Sequence, residues 1–208
     1  MTTRSTPLRR DAQRNRERLV CAAREVFAEH GLDVALEEVA RRAGVSIGTL
    51  YNRFPTRADL VEAVFADRVE TVARIAEHAL TMDDPWEGFV HFVEQICRLL
   101  AADRGYNDLV ARVPPAVPTE GHLRGHRLMT EIVTRAQGSG ALRPDFTLED
   151  MAFVTWALTR TIEATAQVSP GAWRRHLALI LDGLRASAAH PLPEPPLRPG
   201  DLAQIMNC

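Results

Sequence analysis

The stretch Glu37–Arg57, EEVARRAGVSIGTLYNRFPTR, constrains this chain more than any other. Val39, Ala40 and Ala43 recur at helical spacing and make a small apolar face. Gly44 follows at once, where a left-handed residue ends a helix at little steric cost. Ser46 is placed to cap a second helix that starts at Ile47. Leu50 and Phe54 form the buried side of that helix, and Pro55 stops it. Two short helices joined by a tight turn need small residues where they cross, and Ala40, Ala43 and Gly44 supply them. The opposite face carries Gly48, Thr49, Tyr51, Asn52 and Arg53, with Arg57 beyond it. Any helical hairpin could share the buried pattern. The exposed face favours DNA: its hydroxyls, amide and guanidinium groups suit phosphates and base edges. A helix–turn–helix sets the N-terminal residues of its second helix in the major groove. The expected contacts are therefore Ser46, Ile47, Gly48, Thr49, Tyr51, Asn52, Arg53 and Arg57.

The run AGVSIGTLYNRFPTRADL closely resembles the signature of the tetracycline-repressor (TetR) family of bacterial regulators. The resemblance covers about Arg16–Val64, roughly a quarter of the chain. Ala-Gly-Val, Gly-Thr-Leu-Tyr and Phe fall in register with a basic residue three positions after the Phe. There are two departures. The family often has Thr near the start of the first motif helix, where it touches phosphate; here Ala35 and Leu36 stand. It often has His just before the Phe; here it is Arg53. The resemblance implies a ligand-responsive, dimeric, DNA-binding regulator with an effector pocket in its C-terminal helices.

Charge is distributed to match. Residues 1–60 carry 11 Arg against 8 acids, and residues 61–208 carry 14 Arg against 19 acids, so a net charge of −2 hides a basic N-terminal module on an acidic body. That pattern fits DNA contact at one end. A DNA-architectural scaffold would need a broader basic surface. The arm with Arg4, Arg9 and Arg10 either enters a minor groove or is a solvated tail. No apolar run approaches the roughly 18 residues that a membrane helix needs, and no apolar core follows the basic N-terminus; a cytoplasmic protein is expected. Cys21, Cys97 and Cys208 are far apart and odd in number, which argues against a disulfide framework. Cys21 and Cys97 stand in apolar helical contexts and are expected as buried thiols.

The remaining pattern is helical throughout, with no strand alternation, so the expected fold is all-α. An N-terminal three-helix helix–turn–helix domain is assigned to residues 1–55. An effector-binding and dimerisation domain takes 56–190, and a Pro-rich tail takes 191–208. Leu19, Ala22, Ala23, Val26 and Phe27 predict a first helix over Asp11–His30. Thr56 with Asp59 opens a long helix from Arg57 to about Leu80. Asp84-Pro85-Trp86-Glu87 opens the most apolar helix, to about Ala102. A short helix over Gly105–Val113 precedes a stiff loop, Val113–Pro118. Thr119–Gln137 is helical and is broken by Gly138-Ser139-Gly140. Thr147 with Asp150 caps a helix over Leu148–Gln167, and Ser169-Pro170 starts the last, which runs to about Ala189. Those two form a hairpin, expected to pack against a symmetry mate in a homodimer that reads a near-palindromic operator. Five of the nine residues from Pro191 to Pro199 are proline, so an extended tail follows.

For the effector site the candidate residues are Phe89, Phe92, Val93, Ile96, His126, Met129, Trp156 and Arg160. Most of these aromatic residues also suit a plain core. Arg160 and Glu163 either orient a ligand or pair with each other. His122 and His126 share a helix face, yet there is no HExxH pattern, and a pocket wall or surface is the stronger reading; no metal or cofactor is expected. No nucleophile–base arrangement is legible, and serines lack a GxSxG context. A helical small-molecule- or metal-binding protein or enzyme without DNA function is the alternative.

Overall fold

The computed structural model describes residues 7–112, 120–198 and 201–206. Regular structure among them is helical, apart from an isolated antiparallel bridge between Leu142 and Arg185. The helices are α1 (Pro7–His30), α2 (Leu36–Ala43), α3 (Ile47–Arg53), α4 (Arg57–Thr81), α5 (Pro85–Ala102), α6 (Arg104–Arg112), α7 (Glu120–Gly138), α8 (Leu148–Thr165), α9 (Ala172–Leu184) and α10 (Asp201–Met206). The chain divides into two compact units. One is residues 1–67 with Arg104–Tyr106, and the other is Arg68–Asp103 with residues 107–208. The first unit is longer than the 1–55 assigned to DNA binding, because the opening turns of α4 bury Leu60, Val64 and Phe65 in it.

In the first unit α1 buries Leu19, Ala22, Ala23, Val26 and Phe27 against α2. The helix starts at Pro7 and not at Asp11. Arg9 and Arg10 therefore lie on α1 and not on a preceding arm, while Arg4 is outside the described residues. Cys21 is exposed, against expectation: two residues past Leu19, it falls about 200° round the helix from it, away from the apolar stripe. Gly44 ends α2 at φ 66°, and the Val45 and Gly44 N–H groups donate to the Ala40 and Arg41 carbonyls at 3.0 and 3.1 Å. Both orphan carbonyls of the last turn are thus satisfied in the Schellman manner. Gly105 meets α1 so closely that a Cβ there would sit 2.9 Å from the Phe27 carbonyl oxygen, so this crossing admits only glycine without a shift. Arg42 ties α2 to α1 through Glu29 at 2.9 Å and Glu25 at 3.5 Å. The Arg42 hydrogen bond holds the Glu29 carboxyl below its ordinary range.

In the second unit Asp84 caps α5, accepting from the Trp86 and Glu87 N–H groups at 2.8 and 3.3 Å. Trp86 packs on Phe89, and Phe89 meets Phe146 edge to face. Helices α5, α7, α8 and α9 pack on one another around this cluster. From α7, Arg135 donates to the Leu80 and Met82 carbonyls at 2.6 and 2.7 Å, closing the end of α4. Arg124 bridges Glu70 at 3.0 Å and Glu77. Thr147 and Asp150 form the expected capping box on α8. Cys97 is buried, and burial pushes its thiol up to about 12.

Two expectations at the C-terminus are corrected. The last helix ends at Leu184 and not near Ala189. Its continuation is replaced by extended pairing: Arg143 N–H donates to the Leu184 carbonyl at 3.0 Å, and Ala186 N–H to that of Ala141 at 2.8 Å. A 3₁₀ turn, Ala186–Ala188, then leads into the exposed Pro-rich stretch. The helix α10 beyond it was not anticipated. The loop at Val113–Pro118 and Cys208 lie outside the described residues.

Candidate nucleic-acid interface

The turn and second helix of the motif are built as the spacing predicts. Ser46 Oγ accepts from Thr49 N–H at 3.2 Å, and the two hydroxyls lie 2.9 Å apart. One hydroxyl hydrogen is used between them and the other stays free to donate. Leu50 and Phe54 are buried and anchor α3 from beneath. The Phe54 N–H donates to the Leu50 carbonyl at 2.8 Å and closes the helix. Thr56 and Asp59 cap α4 reciprocally, at 2.9 and 3.2 Å.

The outer face of α3 is correspondingly free. Tyr51 is 48% exposed although it is aromatic. Asn52 and Arg53 are exposed, and Ile47 and Thr49 are half-buried. Around Gly48 only Ser46 Oγ comes within 4 Å of a built Cβ, at 3.9 Å, so backbone is presented there without a covering side chain. Hydrogen-bonding groups thus stand over an apolar underside that fixes them. The departure at the start of α2 has its expected consequence: Ala35 caps that helix with no side-chain hydrogen bond, and Leu36 is buried.

Arg57 is corrected. It was expected to add charge to the DNA face, but its Nη1 donates to the Leu32 and Val34 carbonyls at 2.6 and 2.9 Å. It braces the loop between α1 and α2. Two residues that the motif does not flag stand nearby instead. The Arg16 guanidinium lies 5.3 Å from the Phe54 ring centroid. It lines, with Arg53, Pro55, Asp59 and Glu62, an open groove of about 440 Å³. Arg18 Nη2 lies beside the Gly44 turn, 2.8 Å from a built Cβ. Their signal was the density of arginine in the first 18 residues, not their spacing.

The eight effector-site candidates are distributed unevenly. Phe89, Phe92 and Val93 are buried, and Ile96, Met129 and Trp156 are half-buried. They come from α5, α7 and α8, which pack on one another. His126 and Arg160 are exposed. Arg160 pairs with Glu163, the second of the two roles open to it. The His122 side chain lies outside the described residues. Among the described residues, no three His, Cys, Asp or Glu side chains are grouped as a metal site would need, and no helix is long and apolar enough to cross a membrane.

Comparison with known proteins agrees with this architecture. Residues 19–64 match the family model described as bacterial regulatory proteins, tetR family. Residues 84–186 match that described as transcriptional regulator SbtR-like, C-terminal domain. The HTH-type transcriptional regulator UidR of Escherichia coli (strain K12) is 27% identical over 193 residues, which span 84% of this chain and 94% of the relative. A TetR transcription regulatory protein from Mycobacterium vanbaalenii is 34% identical, with 86% of this chain and 99% of that chain covered and a TM-score of 0.47. FadR from Bacillus subtilis, solved with stearoyl-CoA, shares the fold at a TM-score of 0.60 and 20% identity, over 84% of this chain and 99% of that one. An exposed polar recognition helix on an apolar footing, family models matching both units, and a 34%-identical relative covered almost end to end lead to one conclusion: the chain belongs to the TetR family of bacterial transcriptional regulators.

Proposed function

We propose that the protein is a cytoplasmic, homodimeric repressor that binds a near-palindromic operator through α3 and is released by a small molecule bound in its second unit. The observation that carries this is the outer face of α3, where Tyr51, Asn52 and Arg53 are exposed on a helix anchored by Leu50 and Phe54. Ser46, Ile47, Gly48 and Thr49 complete the contact surface. Residues 1–55 carry DNA binding, 56–190 effector binding and dimerisation, and 191–208 form the tail. Relatives by fold, such as FadR with stearoyl-CoA, support effector control as a mode of action. The effector must bind the DNA-incompetent state more tightly than the competent one, or it shifts nothing. The helix α4 is continuous from the first unit into the second and is the element such a ligand would bias.

One recognition helix reads only a few base pairs, so useful affinity calls for two half-sites. The pair α8 and α9 supplies the self-complementary surface. Phe153 is 41% exposed and Leu179 60%, whereas Leu177 is 3% exposed and faces its own unit. Leu179→Glu is therefore the substitution expected to yield monomers that keep helicity but lose operator binding. Selection of bound DNA from genomic fragments, followed by sedimentation, tests the whole reading. Near-palindromic sites and a dimer are expected. A monomer at micromolar concentration that binds such a site tightly would refute the dimer, and a protein that selects no sequence would refute the regulator.

A further inference from the structure

Buried polar side chains are few, and among the described residues all lie in the second unit: Asp103, Asn107, Arg143 and Thr159. Three are matched. Asp103 accepts from Arg68 Nη2 at 2.8 Å. Arg143 holds Asp145 through Nε and Nη2 at 2.6 and 2.9 Å and gives Nη2 to the His190 carbonyl at 3.1 Å. Thr159 donates its hydroxyl to the Trp156 carbonyl at 2.8 Å. Asn107 is the exception. It is 3% exposed, and its Oδ1 has no hydrogen-bond partner. A buried acceptor without a donor is destabilising, and a leucine of similar size would remove the penalty. An asparagine in this position therefore implies a partner from outside the chain.

Its placement narrows the chemistry. Asn107 lies one helical turn after Asp103, and its N–H donates to the Asp103 carbonyl at 2.9 Å. The two buried polar groups thus share a face of α6. The Asp103 charge is met by Arg68, so the unmet demand is for a neutral donor. An anionic group, which offers only acceptors, cannot answer Oδ1. A hydroxyl or N–H group can. Pockets for small molecules follow this plan: mostly apolar walls with one or two placed polar groups that fix orientation.

We propose that Asn107 Oδ1 is the polar anchor of the effector site, accepting a hydrogen bond from a hydroxyl or N–H group of a small uncharged molecule. This rests on the reading of the chain as an effector-responsive regulator. The test uses the full-length protein and matched probes, phenol against toluene and cyclohexanol against methylcyclohexane, with binding followed by NMR titration. The hydroxylated member of each pair should bind about tenfold more tightly, the ratio expected for one recovered buried hydrogen bond. In Asn107→Leu the ratio should fall to about one while the ligand-free melting temperature rises; a purely structural asparagine would give the opposite temperature change. A second measurement needs no variant. The chain has four asparagines, so with ¹³C-labelled asparagine the Asn107 side-chain carbonyl resonance can be followed, and it should move with phenol and not with toluene. Equal affinities within each pair, a preference that survives Asn107→Leu, or no binding of any probe at millimolar concentration would overturn the anchor. Operator binding is measured in parallel. DNA binding without hydroxyl preference refutes the anchor alone, and no DNA binding refutes the regulator reading itself.

Discussion

The two units spend their polar groups in opposite ways. In the first, every described buried side chain is apolar or aromatic, and the hydrogen-bonding residues Thr49, Tyr51, Asn52 and Arg53 stand outside on α3. In the second, four polar side chains are buried, and the exposed residues include Phe153, Val168 and Leu179. A surface that reads DNA needs donors in water, held still by packing beneath them. A domain that encloses a small molecule and meets a copy of itself needs polar groups inside and apolar groups outside. The difference follows from what each unit has to bind.

The comparison can be broken most forcefully at the footing of α3. Leu50 is fully buried, and Leu50→Ala should cost the first unit about 2–5 kcal/mol and abolish operator binding. Chemical denaturation monitored in both units should show the loss confined to the first. Equal destabilisation of both would mean that they do not fold as separate bodies.

Removing the outer groups without touching the footing should do the reverse. The double variant Thr49→Ala, Tyr51→Phe should weaken binding to every sequence by about tenfold or more through lost phosphate contacts, with the melting temperature unchanged. The steep salt dependence of binding should remain, because the arginines still release counterions. Asn52→Ala should instead alter base preference, by about 1–3 kcal/mol at one position. Wild-type affinity in the double variant would show that α3 does not lie in the groove as proposed.

A smaller effect is expected at the turn. Gly44 has φ 66°, so Gly44→Ala should cost about 1–2 kcal/mol and displace Arg18, whose Nη2 stands 2.8 Å from the new Cβ. Thermal denaturation reads the first quantity and operator affinity the second.

The least effect should come from acid. The Arg42 hydrogen bond lowers the Glu29 carboxyl, and the Arg41 hydrogen bond lowers that of Glu38. A carboxyl depressed on folding adds stability that is present above the ordinary glutamate range and is lost as pH falls through and below it. Both groups are exposed, so solvent screens the effect. Arg42→Ala should remove a small part of the acid dependence of the first unit and leave the second unit unaltered; an unchanged pH profile would show that the pair contributes nothing to the folded state.

Local signals proved legible where the chain decides its own geometry. The caps at Ser46, Asp84 and Thr147 and the stop at Gly44 act within a few residues, through hydrogen bonds and backbone sterics that neighbours in sequence supply. The apolar stripes of α1 and α5 named most of their buried residues for the same reason. Cys21 was misplaced because an apolar neighbourhood was read in place of its angle on the helix. The end of α9 was overestimated because Leu184 and Ala186 exchange hydrogen bonds with Arg143 and Ala141, some forty residues earlier, and no local pattern announces such a pairing.

The sequence by itself determined the helical class, the helix–turn–helix and its exposed contact face, because these depend on periodicity and on caps that reach no further than four residues. Only the tertiary structure decided that Arg57 braces the Leu32 and Val34 carbonyls instead of facing outward, that Leu177 turns inward while Leu179 stays exposed, and that Asn107 is buried with an unmet acceptor. Each depends on which distant groups surround a side chain, and burial and hydrogen-bond satisfaction are properties of that surrounding, not of the residue type.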